Sequence, residues 1–448
     1  MPHDQVIIIG GGASGVILAA QLLRRESAGA PHVILVERDA EIGQGIAYGT
    51  ADPQHLLNSR AANMSAFPDE PAHFCDWLAQ QGLPDDDEGF VSRGVYGRYL
   101  QGLIADARNL QRVQGEAVRV EERTEDVVVH LEDGRRFVGD AAVLATGHLL
   151  PRPCTQGLVT GPWDAVVTGS DDRVLIVGSG LTMIDHVTSL LEAGHEGEII
   201  ALSRRGLLPQ VHRAARPLQI DSAEIPFGKP VSSLMRWLRA KVAAADRAGV
   251  DWRSVVDGFR PHVRAVWQSL PQTERKRYLR HGAAWWDIHR HRTPPVQAER
   301  VERALASGQL RLLRGRFLGG TRGPDGQTVA RCFPPGETAP VDLAVERIID
   351  CRGIRRDPLE NPSALLAGML ARGQARIDPL RLGVEVSAAC RLIDAAGRPA
   401  SRILCLGPVT RAAFWEITAI PDIREQAADI AQMLTPARVR HALRVVAA

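Results

Sequence analysis

Near its start the chain carries an unbroken apolar run, Val6-Ile7-Ile8-Ile9, followed at once by Gly10-Gly11-Gly12-Ala13-Ser14-Gly15 and then by the mostly apolar stretch Val16 to Leu23. Four β-branched residues in a row predict a strand buried on both faces, and the stretch after the glycines predicts a helix packed back onto it. A second apolar run, Val33-Ile34-Leu35-Val36, ends in Glu37, 22 residues beyond Gly15 (37 − 15). The same rhythm returns at Val174-Leu175-Ile176-Val177, Gly178-Ser179-Gly180 and Leu181-Thr182-Met183, 168 residues after the first (178 − 10). That is an internal repeat of one strand–turn–helix unit.

Further apolar runs predict strands at 117–121, 127–131, 142–144, 198–202, 310–313, 328–333, 347–350 and 403–406. Three of them stop at a glycine: Ala145-Thr146-Gly147, Cys351-Arg352-Gly353 and Gly407. Helical spacing predicts helices over 71–82, 93–112, 233–245, 254–270 and 272–286. A last one starts at Pro421, which suits a first helical turn, has Asp422 near its N-terminal end and runs to about Leu434. Residues 53–68 follow neither period, as a long functional loop would. The pattern predicts an α/β fold with two Rossmann-like dinucleotide-binding domains, the second inserted in the first and carrying a helical insert. The expected parts are 1–165, 166–345 with the insert at 229–300, and 346–448. Pro151 and Pro153 mark the first boundary, near 150–170, and the 347–353 signature is expected to bring the chain back to the first domain.

Length and composition change this picture little. At 448 residues the chain is too long for one ordinary core, and a net charge of +2 gives no reason to expect nucleic acid or a membrane surface as partner. Six scattered cysteines form no Cys-x-x-Cys pair, which argues against a disulfide framework and a redox-active dithiol. No apolar run reaches the roughly 18 residues of a membrane span, and a first strand at Val6 leaves no room for a signal peptide. The expected location is cytoplasmic.

The glycines carry the chemistry. In Gly10-x-Gly12-x-x-Gly15 the first makes the tight turn, the second lets backbone approach a pyrophosphate, and the third lets helix and strand meet. Glu37, at the end of the next strand, is placed to accept hydrogen bonds from ribose hydroxyls. In the second unit Gly178 and Gly180 repeat the phosphate turn, but Met183 stands where a third glycine would. Arg204 and Arg205 stand where the first unit has its acid, so a 2′-phosphate is favoured and NADPH is preferred over NADH. The run Trp285-Trp286-Asp287-Ile288-His289-Arg290-His291-Arg292 closes the insert. His289 and Arg292 are candidates for contact with an anionic substrate or nucleotide; no metal site is expected, because carboxylates and thiols near these histidines are too few. No general base stands out.

The runs GIAYGT at 45–50, HLLN at 55–58, MSAFP at 64–68, SRRG at 203–206, HRHRTPP at 289–295 and GPVTRAAFWEITAIPDIR at 407–424 narrow the reading. Together they resemble the FAD/NAD(P)-binding flavoprotein family that includes a bacterial FAD-dependent urate hydroxylase and relatives of the flavin-dependent aspartate N-hydroxylase. The resemblance implies FAD on the first domain and NADPH on the second, with a small-molecule substrate and dioxygen as reaction partners. It implies that Gly10, Gly12, Ser14, Gly15 and Glu37 hold the ADP half of FAD, and that Asn58, Met64, Thr146, Gly147, Gly407 and Thr418 line the flavin. Gly178, Gly180, Thr182, Arg204 and Arg205 would hold NADPH. The implied activity is that of a single-component flavoprotein monooxygenase hydroxylating a small polar substrate. A reductase or oxidase passing electrons to a quinone or carrier, and a non-catalytic FAD/NAD(P)-sensing protein, remain open alternatives.

Overall fold

The computed structural model describes residues 4–24, 30–83, 89–148, 157–164, 168–353 and 357–435. Pro151, Pro153 and the last thirteen residues of the expected third part (436–448) lie outside them.

The first sheet has six strands, in spatial order Arg391–Ile393, Pro399–Cys405, Ala141–Leu144, Gln5–Ile9, His32–Glu37, Leu110–Gln114. All pairings are parallel except that of the 391–393 edge strand. The central strand 5–9 meets 32–37 with Val6 opposite Val33 and meets 141–144 with Val6 opposite Ala141. Its Val6, Ile7 and Ile8 are fully buried, as an apolar run without alternation requires. The helices Ala13–Leu23 and Ile420–Leu434 pack side by side on this sheet. Each follows a parallel strand of the sheet, so both N-termini lie at its carboxyl edge.

The second sheet repeats the first. Its order is Leu310–Arg314, Ile199–Ser203, Val174–Val177, Arg347–Asp350, Val159–Thr160, all parallel. In both folds a three-stranded antiparallel meander lies between the outermost strand and the one that returns beside the centre: 117–139 in the first, 316–345 in the second. Two expectations are corrected here. Strand 347–350 does not start the return to the first domain, and strand 159–160 does not belong to it; both complete the second sheet. The reason is topological: each central strand needs a parallel neighbour on both sides, and 347–350 is that neighbour for 174–177.

Several element limits also differ. The helix expected over 93–112 ends at Gly102, and 110–114 forms the outer strand. The helix expected over 254–270 is two, Trp252–Phe259 and Val263–Ser269, separated by a 3-10 turn containing Pro261, whose ring cannot continue the helical hydrogen bonds. The one expected over 272–286 breaks at Gly282 into Gln272–His281 and Ala283–Arg290. Helix Pro295–Ser307 packs on Leu181–Glu192 and belongs to the second fold, so the insert ends near Pro294 rather than at 300.

The insert leaves the second fold by sequence yet packs on the first domain's C-terminal segment. Its core of Phe259, Val263, Trp267 and Trp286 is shared with Leu382, Ala412 and Trp415. Trp267 stacks on Trp415 at 4.9 Å and donates its indole N–H to the Ala412 carbonyl at 2.8 Å. Arg275 covers the Trp267 ring and Arg411 the Trp415 ring, at 5.1 and 4.5 Å. Trp267→Ala should therefore destabilise the insert by roughly 3–5 kcal/mol, read as a lowered urea midpoint in tryptophan fluorescence. A loss below about 1 kcal/mol would show that this stack does not hold the insert in place.

Candidate dinucleotide-binding cleft

Both glycine turns are built on the same contact. Gly10 has φ +111°, and a Cβ there would lie 2.3 Å from the Ala145 carbonyl oxygen; Gly178 has φ +125°, and its Cβ would lie 2.3 Å from that of Cys351. The Gly10 N–H donates to Val36 O and the Gly178 N–H to Leu202 O, each at 2.8 Å. The turn is thus pinned between two neighbouring strands, and no side chain fits under it. After each turn a helix starts without a side-chain cap, at Gly12 and at Gly180. Its first N–H groups and its positive end face outward, the arrangement that receives a phosphate.

The second glycines face open space. A Cβ on Gly180 would meet nothing within 4 Å, and one on Gly12 would meet only Gly45 Cα at 3.8 Å. The third positions differ between the repeats. A Cβ on Gly15 would come within 1.9 Å of the Gly10 carbonyl, so strand and helix touch there. In the second fold the fully buried Met183 fills that position within the core of Val174, Ile176 and Val187. The second helix thus stands off its turn far enough to seat a side chain, while Gly178 and Gly180 keep their geometry. Thr182 is half-buried in that helix's first turn.

Glu37 sits beside the first turn; its Oε2 accepts the Gly11 N–H at 2.6 Å and its Oε1 the Asp39 N–H at 3.2 Å. At the matching strand end of the second fold, Arg204 is exposed and has no partner among the described residues. Arg205 is turned away and donates to the Arg280 carbonyl at 2.8 Å. Of the two arginines, Arg204 is the one free to meet a phosphate.

The chain's C-terminal segment closes the first cradle. Gly407, φ +77°, lies against Ser14, whose Oγ would be 2.4 Å from a Cβ there. Gly407 donates its N–H to Gln426 Oε1 at 2.8 Å, and Gln426 Nε2 reaches Thr410 Oγ1 at 3.2 Å. Gln426 thus holds the turn that abuts the first helix. Its signal in the sequence is slight, a single glutamine interrupting the buried stripe Ile423, Ala427, Ile430, and it is absent from the residues expected at the site. Thr146 and Gly147 (φ +65°) stand at the carboxyl end of the strand beside the turn, and half-buried Thr418 lies just before the helix 420–434. Met64 is 3% exposed and sits in the first core. Asn58 offers its carbonyl to His212 Nε2 at 3.0 Å, bringing the second fold's connector onto the first domain.

The two substrate-contact candidates are differently placed. Arg292 is 3% exposed and its guanidinium grips Asp257 with two bonds of 2.9 Å, so it is committed to an internal ion pair. His289 Nδ1 lies 2.7 Å from the Trp285 carbonyl, and its ring meets Trp252 edge-on. Nearby, buried Glu416 accepts from Trp286 Nε1 at 2.8 Å. Burial pushes its carboxyl up, but Arg290, His291, the indole N–H and Arg260 together outweigh this and hold it below its ordinary value. Burial, with help from neighbouring arginines, pushes His148, His212 and His291 down to about 4.

Residues 7–149 match the model of an FAD-NAD(P)-binding family. No curated protein matches the chain. Among solved structures it is similar to an ornithine N-hydroxylase of Kutzneria sp. 744, at TM-score 0.65 and 16% identity over 97% of this chain and 99% of that one. It is also similar to the FAD-bound cadaverine monooxygenase of the desferrioxamine pathway of Erwinia amylovora, at TM-score 0.68 and 12% identity over 100% and 99%. Thioredoxin reductase of Lactococcus lactis follows at TM-score 0.50 and 13% identity over 96% and 97%. The fold is that of the two-dinucleotide-domain flavoproteins.

Two measurements test the cleft. Gly178→Ala should yield misfolded protein, whereas Gly180→Ala should fold normally and, if NADPH sits on this turn, weaken its binding about tenfold or more in a titration, because its Cβ would enter only open space. Equal behaviour of the two would refute the assignment of these turns. The histidines set a pH dependence. They are neutral in the fold down to about pH 4 and protonate near 6.5 when unfolded, so their contribution is complete above about pH 6.5 and is lost as pH falls towards 4. Each adds a slope of up to about 1.4 kcal/mol per pH unit. His291→Gln should flatten the fall in denaturation midpoint between pH 7.5 and 5; an unchanged slope would count against its burial as the neutral form.

Proposed function

We propose that the protein is an FAD-dependent monooxygenase that draws electrons from NADPH and hydroxylates a small polar substrate. One observation carries the reading: a single chain builds the same phosphate turn twice, at Gly10 and Gly178, with an acid after the first and arginines after the second. The match of residues 7–149 supports a dinucleotide on the first turn. The ornithine hydroxylase neighbour is described with reduced FAD, NADP+ and L-ornithine together, which is the pairing proposed here. A dithiol reductase of the thioredoxin-reductase kind is disfavoured, since the sequence has no Cys-x-x-Cys pair.

Bound FAD would supply the redox centre and the site of dioxygen activation. This chain's residues bind, orient and exclude water. Gly10, Gly12 and the start of helix 13–23 would hold the FAD pyrophosphate, Glu37 a ribose, and Gly407 and Gln426 the segment over the flavin. Gly178, Gly180 and Arg204 would hold NADPH. The N-terminus of helix 420–434 would place a partial positive charge beside the flavin, where negative charge builds up on reduction. The insert, docked on residues 407–418, would shield the reacting edge from water.

Purified protein loaded with FAD should be yellow, and its NADPH oxidation should rise severalfold with the true substrate. Labelled dioxygen should place one oxygen atom in the product. Label in water alone would make the protein a reductase or oxidase, and protein that cannot retain FAD would overturn the proposal.

A further inference from the structure

The two folds are joined by side chains beyond the glycine turns. Residues 50–58 form a strap running from the loop beside Gly12 to Asn58. Its backbone is fixed to the first domain: the Arg93 N–H donates to His55 O and the Leu57 N–H to Val91 O, each at 2.8 Å, and Arg93 Nε to Leu56 O at 3.1 Å. Its other side faces helix Leu181–Glu192, which begins at the second cradle. Met183, Ile184, Val187 and Leu190 turn that helix's apolar face into its own core. Asp185, Ser189 and Glu192, spaced i, i+4 and i+7, share a different face.

That polar face is fully engaged. Asp185 is 7% exposed; Oδ2 accepts from Arg93 Nη2 at 2.9 Å and Oδ1 from Gln297 Nε2 at 3.3 Å. The same Gln297 nitrogen donates to the Gln54 carbonyl at 2.9 Å. One turn on, Ser189 Oγ donates to Asp52 and lies 3.0 Å from His55 Nε2. At the far end Glu192 pairs with Arg300 at 2.6 Å, and Arg300 also donates to Gln54 Oε1 at 2.6 Å. A buried ion pair is a weak source of stability, because desolvation offsets most of its attraction, but its geometry is demanding. Burial raises the Asp185 carboxyl above its ordinary range while Arg93 pulls it back.

We infer that Asp185 is a positioning residue, locking helix 181–192 onto the strap so that the NADPH cradle faces the flavin in register for hydride transfer. The inference rests on the flavoprotein reading above. The helix is a rigid rod of 12 residues, so a tilt at Asp185 moves the cradle at its start. A displacement of about 1 Å between reacting atoms can cost on the order of a hundredfold in rate.

The test compares two reductants of the FAD-loaded protein under anaerobic conditions. NADPH reaches the flavin through the second cradle; N-benzyl-1,4-dihydronicotinamide lacks the adenine dinucleotide portion and does not use it. In Asp185→Asn, flavin reduction at saturating NADPH should fall at least tenfold, with NADPH affinity changed less than threefold and reduction by the benzyl compound within twofold of wild type. Asp185→Glu should restore part of the NADPH rate. Ser189→Ala, which removes one hydroxyl at the half-buried end of the contact, should show a smaller loss of the same kind and guards against an Asp185→Asn protein that does not fold. An unchanged saturating NADPH rate in both variants, or equal losses with both reductants, would overturn the positioning role. Wild-type protein that the benzyl compound reduces and NADPH does not would instead bring down the NADPH reading, and this inference with it.

Discussion

The architecture depends on the fit of a glycine against a strand-end carbonyl, made once in each half. At Gly10 and Gly178 the backbone turns with positive φ, and the oxygen of Ala145 or Cys351 occupies the space of a side chain. Any Cβ there would collide with backbone rather than with a movable side chain, so the contact cannot relax around a substitution. It also joins residues far apart in sequence: the turn at Gly10 exists only once the strand 141–144 lies beside 5–9, and the turn at Gly178 only once 347–350 lies beside 174–177. The phosphate-facing geometry is therefore a product of the completed sheet.

That dependence explains how legible the sequence was. The strands around both turns are apolar runs followed by glycine, and a run buried on two faces needs no partner to reveal itself. The repeat at Gly178, the glycine-ended strands and the helix after Pro421 were readable for this reason. Membership of a sheet was not. The 347–353 run looks the same whether it closes the second sheet or opens the return to the first, and only pairing with Val174–Val177 decides it. Helix 93–102 gave way to a strand at 110–114 because Leu110 and Val113 are recruited by the edge beside 32–37.

The candidate site divides along the same line. Glycines and the Glu37 and Arg204 strand ends follow from local chemistry. Arg292 illustrates what does not: an arginine in a cationic run reads as a contact for an anionic substrate, but Asp257, 35 residues away, takes both ends of its guanidinium and buries it. Gln426 and Asp185 were missed for a related reason. Each is one polar residue on a helix whose pattern is otherwise ordinary, and its meaning lies in a partner from another part of the chain, Gly407 for one and Arg93 for the other.

The insert belongs to one fold by sequence and to the other by packing. Its two connecting arms run alongside each other where Gln210 and His212 pair with Thr293, and beyond them the helices rest on the tryptophan-bearing segment 407–418. The two halves are consequently laced rather than merely tethered. Excising either half would strip a tryptophan-lined wall from the other, so the pair, and not the single nucleotide fold, is the piece that can keep its core when cut from the chain.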